Sequence, residues 1–176
     1  MDFLDFEGQD LYFDEPVSDQ VAELIQQAAD LYPNAEAEAY LLRSYFLEPQ
    51  HLTVLVALYR YFYYRHRYQD ALLVAERALA LTGERLGLRT EWQQLSMSEL
   101  GNGILVSMGF TRFYLLVLKA SGYLKLRVGD VDDAILRLEK VVELDPRDQF
   151  GAGFLLDLAL KARADRFNGR DVECIA

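Results

Sequence analysis

Helix-length stretches follow one another along almost the whole chain, and most are closed by a proline or glycine within a few residues. The breakers are Pro33, Pro49, Gly83, Gly129 and Pro146. Between them apolar residues recur at helical spacing, and no segment of comparable length alternates as a half-buried strand does. This pattern predicts an all-α chain, with helices near 18–31, 34–47, 51–66, 68–82, 112–127, 130–144 and 148–166. Ser18 and Asp130 stand where N-caps belong.

Two of these helix pairs share a design. In LTVLVALYRYFYYRHRYQDALLVAERALALTGER, Tyr68 opens the second helix, Ala71, Ala75 and Ala78 follow, and Gly83 closes it. Small residues at this spacing let two antiparallel helices approach along one seam. KASGYLKLRVGDVDDAILRLEKVVELDPRD repeats the scheme with Gly122, Gly129, Val131, Ala134, Leu138, Val141 and Pro146. The second segment resembles the tetratricopeptide (TPR) consensus, in which helix pairs recur with a period of about 34 residues. In the first, Tyr59, His66, Tyr68, Ala71, Ala75, Ala78 and Gly83 take the matching places, without the two expected glycines. Shifting back one period places Ala37, Leu41, Ser44 and Pro49 opposite Ala71, Ala75, Ala78 and Gly83.

The resemblance implies a right-handed stack of antiparallel helix pairs with a C-terminal capping helix. Repeats are expected near 18–51, 52–85 and 115–148 within one helical domain, 18–167. Residues 86–114 read as a divergent element or insertion, with Gly101 and Gly103 as a flexible joint. Residues 149–167 cap the stack, and 168–176 form a tail. Residues 1–17 read as a flexible acidic-aromatic tail, carrying Phe3, Leu4, Phe6, Leu11, Tyr12 and Phe13 among acids.

Charge is concentrated at that end. The formal net charge is −10, yet residues 1–38 hold eleven acids and no Lys or Arg, and the rest holds 17 acids against 18 bases. Neither part offers the basic surface that phosphate backbones require, so no nucleic-acid partner is expected. The stretch RYFYYRHRY could stack single-stranded bases, but a helix spreads its residues around all faces. The longest apolar run is interrupted by Arg112 and Lys119, so no membrane span is expected. The lone Cys174 and the acidic N-terminus point to the cytoplasm.

No catalytic set emerges, so the expectation is a protein that is not an enzyme and takes no cofactor or metal. His51 and His66 lack nearby cysteines or carboxylate pairs. Asp130, Asp132 and Asp133 are accounted for by N-capping and the helix dipole.

The resemblance instead implies a concave groove lined by the first helix of each repeat. In the family's register its surface falls at Arg60, Tyr63 and Tyr64, and at Lys119, Tyr123 and Arg127. The last three are spaced i, i+4, i+8 and share a helix face. Such a groove would hold a segment of a client protein, making the chain an adaptor or assembly factor. Val56 and Arg60 stand where some family members carry an asparagine-and-lysine clamp for a chaperone's C-terminus, which argues against that client.

Two alternatives remain: a type III secretion-like TPR chaperone, against which the 29-residue interruption counts, and a structural homodimer. YPNAEAEAYLLRSYFLEPQHL and GNGILVSMGFTRFYLL are similar to small TPR proteins of bacterial nitrogen-fixation gene clusters, which implies nitrogenase or one of its maturation proteins as client.

Overall fold

A computed structural model of the chain describes residues 15–88 and 91–173, the last seven by backbone alone. Most of the expected acidic-aromatic tail, residues 1–14, lies outside the described residues, as does Cys174. Among the described residues there are eight α-helices, one 3₁₀ turn and no strand. The helices are α1 (Asp19–Leu31), α2 (Glu36–Leu47), α3 (Leu52–Tyr64), α4 (Tyr68–Arg85), α5 (Met97–Val106), α6 (Met108–Arg127), α7 (Val131–Leu144) and α8 (Ala152–Glu173). The 3₁₀ turn spans Trp92–Gln94.

The expected starts are capped as their residue types demand. Ser18 Oγ accepts from the Val21 amide at 3.4 Å, and Asp130 Oδ1 from Asp133 at 3.5 Å. Helix α1 packs on α2, α3 on α4, α6 on α7 and α7 on α8. Helix α2 joins the first pair to α3, and α4 lies directly against α6. The chain between α4 and α6 is thus bypassed, and α5 rests on α6 alone to any extent.

The hairpins α3–α4 and α6–α7 repeat at an offset of 63 residues, bond for bond at their turns. The Arg65, His66 and Arg67 amides donate to the carbonyls of Tyr61, Tyr63 and Phe62. Val128, Gly129 and Asp130 donate in the same way to Leu124, Leu126 and Lys125. His66 and Gly129, which occupy the same place, both adopt the left-handed conformation, with φ of 59° and 89°. Glycine reaches that region without steric cost; histidine is held there by the surrounding hydrogen bonds.

Two expectations about glycines fail. Gly83 does not stop α4, which runs on to Arg85. It is a buried interior position, where a Cβ would lie 3.3 Å from the Tyr114 ring. Gly101 and Gly103 are not a joint either, because both lie within α5. Ser96 and Glu99 form a reciprocal capping box that starts this helix. Gly103 lets it settle on the end of α4, since a Cβ there would meet Thr111 Oγ1 at 3.3 Å and Leu88 at 3.5 Å.

One core runs through the first six helices and on to Val141 and Leu144 of α7 and Ala152 of α8, built on fully buried Val21, Leu52, Tyr59, Ala75 and Phe113. A smaller cluster of Val131, Ile135, Leu138, Leu155 and Ala159 seats α8 on α7. Burial, with the Glu76 charge in support, pushes the Tyr114 phenol up to about 12. Because the folded state holds this proton more tightly than an unfolded chain with a phenol near 10, stability falls as pH rises between those values. In an alkaline spectrophotometric titration the Tyr114→Phe variant is therefore expected to lose a tyrosine step near pH 12, not one near pH 10.

Candidate functional site

The sequence around α3 alternates large aromatics with arginines, and the structure sorts them onto three surfaces. The inward positions Tyr59, Tyr61 and Phe62 are buried. Arg65 and Arg67 are tied to the protein itself: Arg65 Nη1 donates to the Pro33 carbonyl at 2.7 Å, and Arg67 pairs with Glu38 and Asp70. Arg67 also covers the Phe62 ring, its guanidinium carbon 4.6 Å from the ring centre. These contacts brace the α3–α4 turn against the first hairpin.

The third surface is open. A groove of about 510 Å³ runs between α1, α2 and α3. Its floor is apolar, made by Ile25, Ala28, Ala29, Leu41 and Ala57. Tyr32, Arg60, Tyr61 and Tyr64 complete its lining. Small residues on both helices leave the space, and Tyr32 and Tyr64 remain exposed. A concave, mostly apolar surface with a few polar groups is the general form of a recognition site.

Beside the groove lies an aromatic cluster centred on Tyr63. Its ring stacks on Tyr59 at 5.8 Å and meets Tyr64 edge-on at 5.3 Å. Tyr68 and Tyr123 lie 6.1 and 6.3 Å away. Arg127 closes the cluster, 4.3 Å over the Tyr68 ring, and donates to the Tyr123 hydroxyl at 2.7 Å. The cation–π contact and the hydrogen bond fix the guanidinium in one place. His66 bonds to the Tyr68 hydroxyl at 2.8 Å and completes the rim.

The six residues singled out from the sequence therefore divide. Arg60 and Tyr64 line the groove, whereas Tyr63, Tyr123 and Arg127 form the adjoining cluster across α3 and α6. Lys119 does not join them. Its side chain is buried and its Nζ donates to the Phe150 carbonyl at 2.5 Å, tying α6 to the start of α8. Helical spacing places Lys119 on the same face as Tyr123, but the packing of α8 converts that position into an internal tether.

The α1 wall of the groove was missed from sequence. Carried back by 34 residues, the register used for α3 lands on Ala29, but on none of Ile25, Ala28 and Tyr32. Arg137 was also missed. This buried arginine donates to Ser121 Oγ at 2.8 Å and pairs with Glu76 at 2.7 Å and Asp133 at 3.3 Å, under the Trp92 ring. Burial works against ionisation of Asp133, but hydrogen bonds from Lys125 and Arg137 and the charges of both outweigh it, leaving the carboxyl below its ordinary value. Among the described residues, no three His, Cys, Asp or Glu side chains converge as a metal site would require, and no helix is long and apolar enough to cross a membrane.

Fold and site together define an all-α protein of packed helix hairpins with an open apolar-aromatic groove. Neither a protein-family description nor a solved structure matches the chain. It is 42% identical over 165 residues to the "Uncharacterized 19.8 kDa protein in nifW 5'region" of Azotobacter chroococcum mcd 1. The match covers 94% of this chain and 92% of that protein. The chain belongs to the family of that nif-region protein.

Proposed function

We propose that this protein is a non-catalytic adaptor or assembly factor that holds a segment of a client protein in the groove between α1, α2 and α3, in the service of nitrogen fixation. The groove carries the reading: it is apolar at the floor, wide enough for large side chains, and bordered by tyrosines and Arg60. Aromatic and arginine anchors around an apolar pocket are the usual basis of strong protein contacts. The bond-for-bond repetition of two hairpins supports a TPR-like architecture, in which first helices face the client. The nif-region relative supports nitrogenase or one of its maturation proteins as that client.

The test measures binding of purified nitrogenase components and their maturation proteins to the wild-type chain by calorimetry, beside two variants. Ala29→Trp fills the groove from an exposed position, and Arg60→Glu reverses its charge. Each is expected to weaken the client's binding by about tenfold or more, the equivalent of about 1.4 kcal/mol, while helical content stays unchanged. Equal affinity in both variants would remove the groove from the proposal.

A further inference from the structure

A second exposed apolar surface lies at the corner where α5 meets α6. Ile104, Leu105, Val106 and Met108 are exposed there by 43%, 85%, 63% and 62%, and Met97, at the opposite end of α5, by 51%. Four large apolar side chains within five residues form a patch of the kind that soluble chains cover. The corner itself is firmly built. Ser107 caps α6 by accepting from the Phe110 amide at 3.2 Å, and Gly103 seats α5 against Leu88 and Thr111.

The described chain begins at this corner. Glu15 pairs with Arg85 at 3.1 Å, and Arg85 also donates to the Gln50 carbonyl at 3.1 Å. The Arg85 guanidinium lies 5.6 Å from the ring centre of Phe110, in the first turn of α6. Glu15 therefore stands, through Arg85, beside the first turn of α6. The groove extends away from this end: helix α3 starts beside Glu15 with His51, and its groove residues run from Ala57, about 9 Å along the axis, to Tyr64, about 20 Å along it.

What precedes Glu15 has the matching chemistry. Residues 1–14 hold six large apolar side chains (Phe3, Leu4, Phe6, Leu11, Tyr12 and Phe13) and five acids. Arg85 lies at the end of α4 and Arg112 in the second turn of α6, so positive charge is present on both helices near this end. Fourteen residues span up to roughly 46 Å when extended, against about 15 Å for the length of α5. We infer that the N-terminal segment 1–14 docks on its own α5–α6 corner, its aromatics covering Leu105 and Met108 and its acids facing Arg85 and Arg112. The inference does not depend on the groove being the client site.

The methyl groups of the full chain test it. Apart from Met1, the chain's methionines are Met108, on the patch, and Met97, at the far end of α5, while Ile104 marks the patch and Ile25 marks the groove. A nitroxide is attached at Gly8→Cys in a Cys174→Ser background, and methionine and isoleucine methyl spectra are recorded. The expected result is loss of most intensity at Ile104 and Met108, with Ile25 retained. Leu105→Glu, at an exposed position that leaves the fold intact, should restore the Met108 signal. Three results would each overturn the inference: undiminished patch signals, loss at Ile25 instead, or loss that persists when labelled chains are mixed with separately spin-labelled ones. The second places the segment in the groove, and the third places it on a second copy.

Discussion

Replacing Gly122 with valine is expected to destabilise the protein by about 3 kcal/mol, the upper end of the usual cost of overpacking. For a chain of this size that lowers the midpoint of thermal unfolding by roughly 9 °C. The reason is the closeness of α6 and α7. A Cβ at Gly122 would lie 3.0 Å from Leu138 Cγ, 3.1 Å from its Cδ2 and 3.3 Å from Arg137 Cβ. Leu138 is fully buried and Arg137 is held by three polar partners, so neither can withdraw. Gly122→Ala meets the same atoms but gains about 1 kcal/mol in helix propensity, so its cost is smaller. Differential scanning calorimetry checks both, and a valine variant as stable as wild type would show that the seam can open without cost. The equivalent place in the α3–α4 hairpin is Tyr59, fully buried and stacked on Tyr63. The two hairpins share a turn but not a seam.

Removing the Arg137 side chain is expected to cost about 2 kcal/mol, measured by urea unfolding of Arg137→Ala. Arg137 is the point at which α4, α6, α7 and the 3₁₀ turn are joined, through Glu76, Ser121, Asp133 and Trp92. Its own charge is buried, but Glu76 and Asp133 are partly exposed, and solvent screening limits what those pairs contribute. Arg137→Met separates the terms. It keeps the aliphatic volume beneath Trp92 and loses only the polar partners, so it should recover part of the loss. An alanine variant with unchanged stability would reduce the network to a surface decoration.

Much of the fold was legible in the sequence because its determinants are local. Ser18 and Asp130 cap, Pro33, Pro49, Gly129 and Pro146 end helices, and small residues mark the seams. These act within one or two turns, so reading residues in order recovers them. The repeat at 63 residues was legible for the same reason, since a turn's hydrogen bonds are set by its own few residues. Helix α5 was only half-read, because glycines in a helix-sized segment normally signal a break. The capping box of Ser96 and Glu99, together with close packing at Gly103, overrides that preference.

The candidate site was less legible. Of the six residues expected on one groove, Arg60 and Tyr64 line it, Tyr63, Tyr123 and Arg127 bind one another beside it, and Lys119 is buried. Which cation stays at a surface depends on what packs over it, and α8 arrives from 31 residues away to take the Lys119 ammonium on the Phe150 carbonyl. The α1 wall and Arg137 were missed for the same physical reason. The sequence by itself determined that the chain is helical, where most of the helices lie, that two hairpins repeat, and that acidity gathers at one end. Only the tertiary structure decided which tyrosines stack, which basic groups are tied down, and where a groove stays open, because those outcomes rest on contacts between segments far apart in the chain.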